Sequence, residues 1–173
     1  LFSSPVACIK SIEASLKKLY KKYTADDIKD IHLLENLKTA LEAITPADFT
    51  RYQKLLDLLK SKEYAWNLAD SGDRVVIFTE RIETMKYLAE RLRQDLGLKA
   101  NAIQEISGGM SDSEQQRIVE DFGRTESSVR VLVASDVASE GLNLHYLSHR
   151  LIHFDIPWSL MVFQQRNGRI DRY

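Results

Sequence analysis

Three arginines recur at every third position near the end of the chain, at Arg166, Arg169 and Arg172. A helix that runs as far as Gly168 would place Gln165 and Arg169 one turn apart on a shared face. A guanidinium group is always charged and presents a planar fork of donors that matches the oxygens of a phosphate. The spacing therefore suits a phosphate-bearing ligand, although basic residues at a helix end can also serve only to complement the helix dipole.

Four short apolar runs precede this cluster and predict β-strands at residues 74–79, 101–106, 129–134 and 150–155. A helical pattern follows the first run and ends at Gly97, and a capping box from Ser111 to Glu114 opens a helix after the second. Strands that alternate with helices through short links indicate a parallel sheet with helices on both faces. The sequence therefore predicts an α/β fold.

Polar side chains stand at or just after the predicted strand ends. They are Thr79, Ser107, Ser135 and Asp155. In parallel sheets, ligands bind at the carboxyl ends of the strands. The pattern alone therefore places a ligand site at this edge of the sheet.

Residues 1–70 have a helical pattern, with a start signal at Ser4 and Pro5 and a long apolar stripe over residues 28–44. The basic run at residues 17–22 could contact nucleic acid, but such runs are more often the solvated side of an amphipathic helix. We find no residues in this region whose types and spacing suggest catalysis.

The composition is that of a globular domain, with 44% hydrophobic and 28% charged residues. The formal net charge is −1, so any nucleic-acid contact must come from a local patch. The single Cys8 excludes an internal disulfide, and no apolar run approaches the length of a membrane span. His145, His149 and His153 recur every four residues, but a predicted strand interrupts that spacing, so we expect no metal site.

Five segments, in this order, resemble the motifs of superfamily-two helicases and translocases. They are 74–79 (motif IV), 106–111 (a glycine-rich turn), 131–144 (motif V), 154–158 (an Asp-x-x-Trp element) and 165–172 (motif VI). The resemblance covers about residues 73 to 173. It is strongest to the Swi–Snf branch, in particular to the bacterial Swi–Snf-like ATPases that include RNA-polymerase-associated members. Within that element, Trp158 is expected to lie in the core.

The resemblance implies a RecA-like lobe of the P-loop NTPase type at residues 71–173, preceded by a helical extension at residues 1–70. The chain has no Gly-x-x-x-x-Gly-Lys-Ser/Thr loop, so it is expected to be the second of two lobes and part of a larger protein. ATP and Mg²⁺ would be bound mainly by the N-terminal lobe. The isolated chain is then expected to be inactive as an ATPase.

By the same resemblance, Arg169 and Arg172 are the catalytic residues, acting as arginine fingers on the γ-phosphate of ATP. Gln165 is expected to bind the nucleotide. Arg166 is placed with the cofactor-binding residues, either orienting motif VI or contacting an acidic group of the first lobe. Gly168 would allow a close backbone approach.

Motif V is expected to serve two ligands. Gly141 and Asn143 would line the nucleotide site, and the hydroxyl of Ser135 would hold a nucleic-acid phosphate. Ser107, Gly108 and Gly109 would grip the backbone of the tracked strand, because a turn before a helix start presents N–H groups to an anion. Simple turn capping remains an alternative for these residues.

The implied function is the C-terminal motor lobe of a DNA-dependent ATPase or translocase. Its expected partners are the N-terminal RecA-like lobe of the same protein, double-stranded DNA, and RNA polymerase or another DNA-bound complex, in the cytoplasm of a bacterium or archaeon. Two alternatives remain open. One is a strand-separating helicase or restriction-type motor, and the other is a catalytically inactive lobe that serves as a protein-interaction module.

Overall fold

The computed structural model describes residues 3–22, 24, 27–136 and 150–168. Within these residues the helices are α1 (Pro5–Lys21), α2 (Ile28–Glu42), α3 (Thr50–Lys60), α4 (Ile82–Asp95), α5 (Asp112–Gly123) and α6 (Leu160–Asn167). The strands are β1 (Val75–Thr79), β2 (Ile103–Ile106), β3 (Val131–Ser135) and β4 (Arg150–His153). All four predicted strands are present, each within two residues of its predicted ends. None of the described helices is both long and apolar enough to cross a membrane.

The four strands form one parallel sheet in the order β2-β3-β1-β4. In the register of β1 and β3, Thr79 pairs with Ser135. Phe78 pairs with His153 of β4 on the other side. The carboxyl ends of the two central strands therefore meet at one edge, with the segment after β4 beside them.

Helices cover both faces of this sheet. In β1 all five residues are buried, and alternate side chains enter different cores. Val75 and Ile77 pack with α3 and α4, whereas Val76 and Phe78 pack with α5. The predicted α/β architecture, a parallel sheet with helices on both faces, is confirmed.

Local end signals in the sequence set three helix boundaries. The hydroxyl of Ser4 accepts a hydrogen bond from the amide of Ala7 at 3.2 Å and caps α1. Ser111 and Glu114 form the predicted capping box of α5. Gly97 follows α4 with φ +62°, a left-handed conformation that favours glycine.

The first two helices form a helical hairpin with a core of its own. Cys8, Ile12 and Leu16 of α1 pack against Ile31 of α2. The stripe expected over 28–44 is only partly buried. Leu37, for example, is 42% exposed, since α2 packs mainly on α1 and has a second face without cover from the described residues.

The core includes one helix of the expected extension and excludes one tryptophan that was expected to lie in it. Helix α3 lies in the region expected to be a helical extension, yet Tyr52, Leu55 and Leu59 belong to the core formed with the sheet. The division at residue 70 stays a prediction. The expectation that Trp158 lies in the core was wrong, because this side chain is 82% exposed. It follows Pro157 beyond the end of β4, where none of the described elements packs on it.

Candidate functional site

The side chain of Arg166, on the last turn of α6, lies at the carboxyl edge of the sheet, where it contacts residues that follow β3 and β4. It has no exposed surface. Its Nε donates to Oδ1 of Asp136 at 2.5 Å, and its Nη1 donates to the carbonyl of Asp155 at 2.7 Å. The guanidinium carbon also lies 5.8 Å from the centre of the Phe78 ring. A buried guanidinium needs such partners, because an unpaired buried charge is strongly destabilising.

Asp155, just beyond β4, contacts groups from the end of β1 and from α6. Its Oδ2 accepts from the hydroxyl of Thr79 at 2.7 Å, and its Oδ1 accepts from the amide of Glu80 at 2.8 Å. The same Oδ1 lies 3.4 Å from Nη2 of Arg166. The carboxylate therefore links the end of β1 to α6.

Asp136 directly follows β3 and completes the link. Burial raises the pKa of its carboxyl, and the charge of Arg166 acts in the opposite direction. Because Arg166 donates hydrogen bonds to both Asp136 and Asp155, the last turn of α6 is joined to the ends of β3 and β4. This arrangement holds α6 at the edge where ligands of parallel sheets bind.

His153 contacts the same guanidinium from β4. Its Nε2 lies 2.8 Å from Oδ1 of Asn167, and its Nδ1 lies 3.4 Å from Nη1 of Arg166. This pattern fits a neutral ring that donates through Nε2 and accepts through Nδ1. Burial lowers the pKa of the imidazole, which the bond to Asn167 partly offsets. The ring also stacks on Phe163, with centroids 4.5 Å apart. Its nitrogens are thus engaged within the lobe.

Helix α6 runs from Leu160 to Asn167. Gly168 is its C-cap, and a Cβ at that position would lie 3.3 Å from the carbonyl oxygen of Gln164. Gln165 is partly exposed, one residue before the buried Arg166. Arg169 and Arg172, the expected catalytic residues, lie outside the described residues. Gly141, Asn143, His145 and His149 do so as well.

The expected nucleic-acid residues lie at neighbouring strand ends. Ala134 of β3 pairs with Ile106 of β2, so Ser135 and Ser107 follow paired residues. The hydroxyl of Ser135 is fully buried and has no hydrogen-bond partner among the described residues. A buried hydroxyl without a partner is destabilising, so this oxygen is a candidate ligand contact.

The turn after β2 is closed by its own backbone. The carbonyl of Ser107 accepts from the amide of Met110 at 3.1 Å. Gly109 is exposed, and no atom lies within 4 Å of the place where a Cβ would stand. The carboxylate of Glu114 already accepts from the amide of Ser111, at 2.9 Å. A phosphate at this point would therefore meet the turn itself rather than the first turn of α5.

Sequence reasoning missed two contributors to this site, Ser3 and Asp136. Both serines at the start of α1 are buried, and Ser3 contacts residues more than 70 positions away. The sequence marks Ser4 as a helix cap but carries no local signal for the role of Ser3. Among the described residues, no group of three or more His, Cys, Asp or Glu side chains could hold a metal ion.

The described residues form a parallel α/β sheet, with the single arginine of α6 buried at its carboxyl edge. The family model described as the helicase conserved C-terminal domain matches residues 50–173. The chain therefore belongs to the helicase conserved C-terminal domain family. The match begins at α3, in agreement with the packing of that helix in the core of the sheet.

Curated relatives point to the Swi–Snf-like branch. The chain is 30% identical to the RNA polymerase-associated protein RapA of Vibrio parahaemolyticus over 123 residues. That match covers 71% of this chain and 12% of that protein. The RapA protein of Vibrio vulnificus strain YJ016 is 32% identical over 104 residues, which is 60% of this chain and 10% of that protein. The chain thus spans about one eighth or less of these relatives.

Solved structures agree on the fold. The C-terminal part of the Fun30 ATPase domain superposes with a TM-score of 0.58 at 18% identity, covering 80% of this chain and 49% of that chain. The C-terminal domain of the Sulfolobus solfataricus SWI2/SNF2 ATPase gives a TM-score of 0.50 at 19% identity, covering 87% and 66%. The fold is that of a RecA-like C-terminal helicase lobe.

Proposed function

We propose that this chain is the C-terminal motor lobe of a DNA-dependent ATPase or translocase of the Swi–Snf type. The observation that carries the proposal is the double anchoring of Arg166 by Asp136 and Asp155. This anchoring fixes Arg166 at the carboxyl edge of the sheet, and Arg169 is only three residues further along the chain. In this proposal, Arg169 acts on a nucleotide bound against that edge.

ATP and Mg²⁺ would bind mainly to an N-terminal RecA-like lobe of the same protein. In this proposal, Arg169 and Arg172 approach the γ-phosphate across the cleft and stabilise the charge that develops on the transferring oxygens. Gln165, Gly141 and Asn143 line the nucleotide site on this side. Because the proposed ATP site is shared between two lobes, this chain alone should not hydrolyse ATP.

Arg166 was expected either to orient motif VI or to contact the first lobe. Its complete burial and its bonds to Asp136, Asp155 and His153 support the orienting role. The guanidinium nitrogens of Arg166 are already bonded to Asp136, Asp155 and His153, so they are not available to ATP or to another lobe. We therefore propose that Arg166 positions the arginines that follow it and does not bind the cofactor.

The nucleic-acid track would cross the ends of β2 and β3. In the turn that follows the buried Ser107, Gly108 is partly exposed and Gly109 is exposed, and the buried Ser135 has a hydroxyl that lacks a partner among the described residues. Both kinds of group suit phosphate oxygens, which carry no sequence information. Double-stranded DNA is the track we propose, since the relatives and the motifs fall in the Swi–Snf-like branch.

The similarity to proteins named as RNA polymerase-associated supports a partner of that kind. We propose that the full-length protein acts on RNA polymerase or another DNA-bound complex in the cytoplasm of a bacterium or archaeon. Strand separation is not required for this role.

The test is steady-state ATP hydrolysis by the full-length protein with no nucleic acid, duplex DNA, single-stranded DNA or RNA. We expect duplex DNA to give the largest stimulation. Equal stimulation by RNA would contradict the DNA track, and displacement of a labelled strand would favour a strand-separating helicase. A full-length protein that neither binds nor hydrolyses ATP would contradict the motor and favour an inactive interaction module.

A further inference from the structure

Two adjacent serines at the start of α1 are buried against the motor edge of the lobe. Ser3 is 4% exposed and Ser4 is 1% exposed. The hydroxyl of Ser3 lies 3.1 Å from that of Thr79 and donates to Oδ2 of Asp155. These contacts join residues 76 and 152 positions apart in the chain. The beginning of α1 is therefore part of the polar network at the carboxyl edge.

Ser4 belongs to a different set of contacts. Its hydroxyl lies 2.8 Å from that of Thr84 on α4 and accepts from the amide of Ala7. Among the hydrogen bonds of the described residues, none joins Ser4 to Asp155. The two serines thus fasten the same helix end through separate partners, which allows their roles to be separated by experiment.

Asp155 connects Ser3 to α6 through a single carboxylate. Oδ2 accepts from Ser3 and Thr79, while Oδ1 accepts from the amide of Glu80 and lies 3.4 Å from Nη2 of Arg166. The contact with Arg166 is long, so it depends on the rotation of the carboxylate. Removing Ser3 from Oδ2 would leave Thr79 as the donor to that oxygen and would loosen the orientation of the carboxylate.

A second contact fixes Ser3 itself. Nη1 of Arg51, on α3, donates to the carbonyl of Ser3 at 3.2 Å, and its guanidinium carbon lies 5.7 Å from the centre of the Phe154 ring. Arg51 therefore links the backbone of Ser3 to Phe154, the residue before Asp155. The hydroxyl of Ser3 is presented from a fixed position.

We propose that Ser3 is a positioning residue for Arg166, acting through the carboxylate of Asp155. The inference rests on the proposed ATPase function and deepens it. It makes the start of the helical hairpin of α1 and α2 a part of the carboxyl edge, since Ser3, the residue before the N-cap of α1, orients the carboxylate that contacts Arg166. A displacement of about 1 Å at a reacting group can reduce a rate roughly 100-fold, so a rotation of this carboxylate is large enough to matter.

The experiment compares Ser3→Ala with Ser4→Ala in the full-length protein, using kcat and KM for ATP at saturating duplex DNA. We expect Ser3→Ala to lower kcat about tenfold while KM stays nearly unchanged. The loss should be smaller than the roughly 100-fold loss for a 1 Å displacement of a reacting group, because Ser3 acts on the reacting groups only through other residues. Ser4→Ala removes a helix cap and should lower the Tm at least as much while leaving kcat unchanged. Ser3→Thr, which keeps the hydroxyl, should restore kcat.

A double variant tests the route through Arg166. If Ser3 acts through that residue, Ser3→Ala should slow Arg166→Lys by much less than it slows the wild type. Fully additive losses would overturn the proposed route. An unchanged kcat in Ser3→Ala, or equal kcat losses in both serine variants that follow their Tm, would overturn the inference and leave the ATPase function intact. A wild-type protein without ATPase activity would contradict the proposed function, and this inference with it.

Discussion

Nε of Arg166 lies 2.5 Å from Oδ1 of Asp136, and the arginine side chain has no exposed surface. This one contact joins α6 to the end of β3. Together with the bond to the carbonyl of Asp155, it fixes the last turn of α6 on the sheet. We propose that the expected catalytic arginines, which follow Gly168 in the sequence, depend on this ion pair.

Replacing Arg166 with alanine should strongly destabilise the protein. The change leaves two carboxylates, those of Asp136 and Asp155, without their shared cation, and breaking a buried pair in this way costs about 3–5 kcal/mol. Urea unfolding of the chain measures this loss as a change in the free energy of unfolding. Arg124→Ala is the matched control, because Arg124 is exposed just after α5 and should change stability by less than about 0.5 kcal/mol. Similar small losses in both variants would show that the pairing contributes little.

The stability should fall as the pH is lowered through the range in which His153 titrates. Its pKa is lowered in the folded protein, so the unfolded chain takes up the proton first, beginning near the ordinary value of about 6.5. Above that pH the ring is neutral in both states and makes no pH-dependent contribution. Protonation of Nδ1 would also turn an N–H toward Nη1 of Arg166.

The check is the free energy of unfolding between pH 7.5 and about 5, for the wild type and His153→Gln. The variant should lose less stability over this range. His32→Gln, at an exposed position of α2, serves as the control and should follow the wild type. If His153→Gln and the wild type show the same pH dependence, the lowered pKa is not a source of the acid sensitivity.

A carboxylate placed in the turn after β2 should weaken DNA binding. Gly109→Asp adds a negative charge where we propose that a phosphate lies, and no atom lies within 4 Å of the position of its Cβ. We expect at least about a fivefold loss of duplex affinity near 0.1 M salt, decreasing at higher salt because of screening. Gly109→Ala should bind as the wild type does. Unchanged binding by Gly109→Asp would place the track elsewhere on the lobe.

Gly97→Ala should destabilise the chain by about 1 kcal/mol, although no atom lies near the new methyl group. The reason is the backbone conformation, with φ +62°, which only glycine adopts without strain. Gly109→Ala again provides the control, because no left-handed φ is found there. Thermal unfolding of the two variants measures the difference, and equal Tm values would contradict the strain.

The features that the sequence predicted correctly are those with local causes. The capping box of Ser111 and Glu114 and the stop at Gly97 each depend on residues within a few positions of one another. Strand ends were less certain, because pairing across the sheet sets them. For example, β1 begins at Val75, the residue that pairs with Val131 at the start of β3.

The sequence predicted where in the fold the candidate site lies, but it did not predict the contacts between its side chains. The sequence put Thr79 and Asp155 at strand ends, but it did not show that they share a hydrogen bond. Whether Arg166 turned inward or toward another lobe depended on carboxylates 11 and 30 residues away. The contact of Ser3 spans 152 residues and leaves no trace in local spacing. Trp158 was misplaced because its burial depends on what covers the strand end and not on its residue type.

The central claim is that the segment after α6 supplies an arginine to the transition state of ATP hydrolysis. The most direct measurement is single-turnover hydrolysis of ATP by an excess of the full-length protein, at saturating duplex DNA and at protein concentrations above the Kd for ATP, for the wild type, Arg169→Ala and Arg124→Ala. We predict that Arg169→Ala slows the chemical step by about 10³-fold or more, keeps ATP affinity within a few fold and stays folded, while Arg124→Ala hydrolyses ATP as the wild type does. Equal hydrolysis rates in Arg169→Ala and the wild type would contradict the claim.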